Sequence, residues 1–396
     1  MDEMRMVRDF YPEPAPPTAQ DITRAKALLS ESSRRSLPRL RWGLGGGLVA
    51  VGAAAAVAIT LAGGNTSGGG NTPASPGPVN LDAKGAVLAA AQKAEQQPTG
   101  NYWHTDVVAG QSYIMRPATG TYAITAAADE TFNWSGAKPG MGEAYYGRDL
   151  PAHPLTEQDA ALWRKAGSPS SFHVWSGDHY YTYPAKATKW TASGPNVGID
   201  PHGGGNYMGK SVKDLQNLPT DPAALAAMFL NDTETNRALG ARPGRKLSPE
   251  AERRFKEAAP KLKISKVAGI LSGPVQPKAR AGLMRALATQ PGIHAIGHDT
   301  DPLGRRGIAL ASDDSALTVT GEYGGPKAEQ GTYRWRVVVI FDEHTGAVLS
   351  RQNELTTPGG PYSEMKPGFV IEYQAYRSTG WSDAKPTPSP ELPSFG

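Results

Sequence analysis

The apolar and polar positions change period repeatedly along the chain. Ile22, Ala25, Leu28 and Leu29 fall at i, i+3, i+6 and i+7, and Asp21 stands where a helix cap belongs, so a short helix with one apolar stripe is predicted there. An uncharged run of twenty residues follows, Gly43–Ala62. Leu81–Gln97 returns to helical spacing, with Leu81, Val87, Leu88 and Ala91 on one face and Pro98 as its stop. Alternating patterns then predict strands over Tyr102–Val108, Ser112–Met115, Tyr122–Ala126, Thr131–Trp134, Phe172–Trp175 and Tyr180–Tyr183. Helices come next. Asp221 caps Pro222–Leu230, Ser248 opens a helix through Glu257, and Lys278–Thr289 ends at Pro291-Gly292. Strands resume at Gly307–Ala311, Leu317–Thr320, Tyr333–Phe341, Ala347–Leu355 and Phe369–Tyr376. Strands, helices, then strands again predict an α+β domain with an antiparallel sheet packed on helices.

At the helical rise, the uncharged run is about 30 Å long, enough for a bilayer's hydrocarbon core. Arg34, Arg35, Arg39 and Arg41 precede it, and the next basic residue is Lys84. The positive-inside rule therefore predicts a transmembrane helix over 42–62 with a cytoplasmic N-terminus and an extracytoplasmic C-terminal domain. Two other readings compete with an uncleaved anchor. Ala56-Val57-Ala58 has the form of a cleavage site, though the charged leader is long for a signal peptide. Ser33-Arg34-Arg35 resembles a twin-arginine signal, but Pro38 stands where its hydrophobic ending belongs. The chain thus divides into a cytoplasmic segment at 1–41, the anchor at 42–62, and a Gly/Pro/Ser-rich linker at 63–80. The folded domain covers 81–381, and a Pro-rich tail with little to bury covers 382–396.

Composition removes several chemistries. There is no cysteine in 396 residues, which excludes disulfides, thiolate catalysis and a lipidated N-terminal cysteine. A net charge of +4 points to no nucleic-acid partner. Gly204–Ser211 matches the phosphate loop GxxxxGK[ST], yet no apolar strand precedes it, so a surface loop is expected. His294 and His298 have metal-pair spacing but follow a helix stop, and no third ligand lies near. His104 and Asp106 fit a catalytic triad only without a nucleophile motif, while Asp129-Glu130 and Asp313-Asp314 read as solvated turns. Tyr145, Tyr146, Trp163, Phe172, Trp175, Tyr180, Tyr181 and Tyr183 suit a ligand cleft or, more simply, cross-strand packing. No catalytic, cofactor or metal residue is assigned. The reading is a membrane-anchored binding or sensing protein, with an envelope hydrolase as the alternative.

Four stretches carry a resemblance: LPTDPAAL at Leu218–Leu225, LMRALATQPGI at Leu283–Ile293, DPLGRRGIAL at Asp301–Leu310 and IFDEHTGAVLSRQ at Ile340–Gln352. With the Pro-rich head, Arg-flanked anchor and linker, the chain resembles an uncharacterised family of actinobacterial single-pass membrane proteins, often encoded beside extracytoplasmic-function sigma factors. The resemblance implies a membrane setting and makes a sigma factor the candidate partner of residues 1–41. The order of elements is also similar to the periplasmic lipoprotein carrier (LolA-like) fold, in which a curved antiparallel sheet wraps helices around an apolar cavity. That analogy implies a lipid or protein ligand outside the membrane, with Leu225, Met228, Phe229, Leu283, Met284 and Leu287 as the candidate cavity lining.

Overall fold

The structure is a computed structural model, and it describes residues 81–192, 199–239 and 248–395. The segment expected to be cytoplasmic, the expected anchor and the expected linker lie outside these residues. Among the described residues, no helix is long and apolar enough to cross a membrane.

Helix α1 (Leu81–Ala94) leads into three long strands, β1 (Tyr102–Met115), β2 (Tyr122–Gly136) and β3 (Glu143–Asp149). The two strands expected over 102–115 are one, as are the two over 122–136. Each continues through a β-bulge where Ala109–Gln111 faces Ala126–Asp129. Gly110 sits at this bulge and makes room for the Tyr373 ring, since a Cβ there would stand 2.5 Å from the Tyr373 hydroxyl oxygen. Helix α2 (Glu157–Lys165) opens on a capping box in which Thr156 and Asp159 bond each other's backbone N–H. A hairpin of β4 (Ser171–Ser176) and β5 (His179–Pro184) follows.

The middle of the chain is helical: α3 (Pro222–Phe229), α4 (Pro249–Leu271) and α5 (Pro277–Leu287). Helix α4 runs fourteen residues past its expected end at Glu257 and contains Pro260. Proline inside a helix costs about 3 kcal/mol. Burial of Leu262, Ile264, Val267, Ala268 and Leu271 outweighs that, at roughly 1.5–3 kcal/mol for each large side chain. The chain then returns to strands: β6 (Ile293–Thr300), β7 (Arg306–Ser312), β8 (Ser315–Val319), β9 (Gly331–Phe341), β10 (Val348–Thr357) and β11 (Val370–Ser382).

All the long strands join one antiparallel sheet in the order β6-β7-β9-β10-β11-β1-β2-β3, while β4 and β5 form their own. Two meanders therefore meet where the last strand pairs with the first, Val107 opposite Tyr376. Strand β8 continues β7 along β9 after a kink at Asp313-Asp314, where the Ser312 hydroxyl accepts from the Val337 N–H at 3.0 Å. The domain is α+β, with its helices against one face of the sheet. Alternation along the strands sorts that face from the other. Val107, Ile308, Leu310, Val337, Val339 and Phe341 pack with α1, α3, α4 and α5. Their neighbours Val108, Ala309, Val338 and Ile340 belong to separate clusters on the opposite face.

Candidate functional site

Four of the six candidate cavity residues meet in the helix–sheet core. Leu225, Leu283, Met284 and Leu287 are completely buried there beside Ile264, Leu271 and Val339. A Cβ on Gly282 would approach Leu225 Cδ1 to 2.7 Å, so α3 and α5 are in close contact at this point. Met228 is 47% exposed and Phe229 sits at the core's margin, with Lys266 Nζ 5.9 Å from its ring centroid.

The opposite face holds a charged cluster. Asp106 on β1, Glu130 on β2 and Arg148 on β3 are buried. Val108 pairs with Glu130, and Glu130 pairs with Arg148, so the register stacks these side chains across three strands. Arg377 joins from β11 at the bulge that offsets Asp106 from Val107. Glu130 accepts from both arginines, from Arg148 Nε at 2.6 Å and from Arg377 Nη1 at 2.6 Å. Buried, bidentate and doubly paired, this arrangement compensates the desolvation of its charges. Asp106 is different. Its Oδ1 is buried and has no hydrogen-bond partner among the described residues. Burial, and then the negative charge of Glu130, push its carboxyl up to about 7 despite the two arginines. A proton on Asp106 makes it a donor toward Glu130. His104, two residues earlier on the same face, is pushed down by burial, so its ring is neutral at physiological pH.

The tail completes this cluster. The composition of residues 382–396 offers little to bury, yet residues 383–395 are held on the face by side-chain donors. Trp190 Nε1 donates to the Ser389 carbonyl at 2.7 Å. Arg148 Nη1 donates to the Pro390 carbonyl at 3.1 Å, and its Nη2 donates to that of Glu391. Arg377 Nη1 also reaches the Glu391 carbonyl at 3.1 Å. The Arg148 guanidinium lies over the Trp190 ring at 4.4 Å, fixing both donors relative to each other. At the ends, Lys385 Nζ is 5.6 Å from the Trp134 ring, and Phe395 packs at 4.5 Å on His153 and against the Val108–Leu150–Tyr373 cluster.

The remaining candidates disperse. Glu130 is not in a solvated turn but in the middle of β2, completely buried. His294 and His298 lie on β6, each on its own carboxylate, Asp313 at 2.7 Å and Glu343 at 2.7 Å. No group of three metal-ligating side chains gathers among the described residues. Gly204–Ser211 forms a two-residue hairpin turned at Met208-Gly209, not a loop between a buried strand and a long helix. The aromatic residues divide among separate contacts: Tyr146 beside Phe132, and Trp175 edge-on to its cross-strand partner Tyr180 at 5.1 Å.

No protein-family model matches the chain. A comparison with curated proteins found no match either.

Proposed function

We propose that the chain is a membrane-anchored, extracytoplasmic binding or sensing protein, held by residues 42–62 with residues 81–381 outside. The observation that carries this reading is the charged face. Its donors, the buried Arg148 and the half-buried Trp190 and Arg377, converge on three consecutive backbone carbonyls, Ser389 to Glu391, of a segment that contributes no strand or helix. Groups placed to hold an extended chain are a recognition surface. The Arg-flanked apolar run and the long linker support the topology. The single large antiparallel sheet with helices on one face is compatible with the LolA-like comparison, and the four buried lining candidates are where an apolar ligand would have to be admitted.

A second reading, an envelope hydrolase, draws on Asp106. A carboxyl titrating at about 7 suits a general acid or base. Its position beneath Arg148 and Arg377 on a closed face favours binding instead. The test is a screen of the purified chain against ester, peptide and glycoside substrates, with Asp106→Asn as control. Binding without chemistry is expected. Turnover that Asp106→Asn abolishes overturns the reading.

A further inference from the structure

We infer that the charged face is a groove for an extended, proline-rich peptide of a partner, and that the chain's own residues 385–395 fill it as a stand-in ligand. The inference rests on the binding reading above and names its ligand class. Lys385-Pro386-Thr387-Pro388-Ser389-Pro390-Glu391-Leu392-Pro393 has proline at 386, 388, 390 and 393. Such spacing favours the polyproline II helix, which has no internal hydrogen bonds and leaves every carbonyl available. The groove meets that chemistry. An indole N–H and two guanidinium groups take the carbonyls of Ser389, Pro390 and Glu391 in succession. None of these bonds reads a side chain, so specificity falls to proline geometry and to the aromatic ring four residues after Glu391. Phe395 fills that position, between His153 and the Val108–Leu150 cluster.

The donors do not depend on the tail for their own order. Glu130 holds both arginines by separate oxygens, and Trp190 is held by the Arg148 cation above its ring. A rigid, prepaid donor set of this kind is what recognition needs. The tail itself adds no strand to the sheet and is held by side chains alone. Four hydrogen bonds, the Lys385–Trp134 contact, the buried Pro393 and the Phe395 ring oppose the conformational entropy of about a dozen residues. Leu392, near its end, is 45% exposed. Exchange of this segment for another chain of the same kind is what the groove reading requires.

The test uses the full chain with a protease site inserted between Asp383 and Ala384. Binding of a fluorescein-labelled peptide of residues 384–396 is followed by anisotropy before and after cutting, with release of the cut segment followed by mass spectrometry. Saturable uptake is expected after the cut, with little before it. Trp190→Phe, which keeps an aromatic ring under Arg148 but loses the N–H, should weaken that uptake about fivefold, as for one hydrogen bond of ordinary strength. A peptide with alanine at the four proline positions should bind more weakly than the native one. Equal uptake before and after the cut overturns cis occupancy. No saturable uptake once the cut segment has left overturns the groove, and a cut segment that stays at every peptide concentration overturns its exchange. None of these failures touches the absence of turnover, which the substrate screen measures separately.

Discussion

Asp106→Asn isolates the charged cluster, because the amide keeps a donor for Glu130 and removes the titration. In the folded protein the Asp106 carboxyl titrates at about 7, against 3.8 when unperturbed. The folded state therefore binds a proton that the unfolded state has released over that whole interval, and stability falls as pH rises through it. Three units at about 1.36 kcal/mol each make the full loss about 4 kcal/mol, of which about 3 kcal/mol falls between pH 5 and 8.5. Urea unfolding of the full chain, followed by tryptophan fluorescence at pH 5, 6, 7 and 8.5, measures it. The wild type should lose about 3 kcal/mol more than Asp106→Asn across that range. The variant should be the more stable of the two at pH 8.5. Parallel curves would show that Asp106 is already ionised at pH 5, and the account of a shared proton with Glu130 would be refuted.

Removing the centre of the cluster should be worse than neutralising its edge: Glu130→Gln leaves two arginines without their carboxylate and should cost about 3–5 kcal/mol in thermal or urea unfolding. Met284→Ala in the completely buried core should cost about 2–5 kcal/mol, while Met228→Lys, at a position 47% exposed, should stay within about 0.5 kcal/mol. Equal costs for the two would contradict the placement of α3. Burial lowers the buried Lys261 amine to about 8, so stability should rise as pH climbs from 8 toward 10.5, and Lys261→Met should flatten that rise. The full chain should sediment with membranes, and deletion of residues 43–62 should release it; recovery of the intact chain in the soluble fraction would contradict the anchor.

The helices and strands were largely readable because their signals are local. Alternation marked both halves of β1 and β2, and Asp221-Pro222 and Ser248-Pro249 marked two helix starts. What escaped depended on partners distant in sequence. Pro260 reads as a helix breaker until the core contacts of Ile264 and Leu271 are known. Helix α2 had a readable signal, the Thr156–Asp159 capping box, but no buried residue to give it an apolar stripe. Glu130 carried a usable signal too: it alternates with Phe132 and Trp134, both buried, and so belongs on their face of β2. Its neighbour Asp129 made the pair look like a turn. Arg148 and Arg377 gave none, since their roles follow from a register that brings β3 and β11 to either side of β1 and β2. The tail was least legible. Its order comes from donors on other elements, and nothing in a proline-rich stretch announces where its carbonyls will be received.

The groove is tested most directly by competition inside the intact protein, which the absence of cysteine makes simple. Thr387→Cys, labelled with bimane, puts a fluorophore at an exposed position two residues before Ser389, the residue whose carbonyl Trp190 holds, and keeps all four prolines. Tryptophan quenches bimane on contact, so the labelled chain should be dim and Trp190→Phe should brighten it. Adding an unlabelled peptide of residues 384–396 should then raise the fluorescence saturably as the tail is displaced. A label that is dim and remains dim at every peptide concentration, or one that is bright from the start, would contradict an exchangeable, proline-rich occupant of this face.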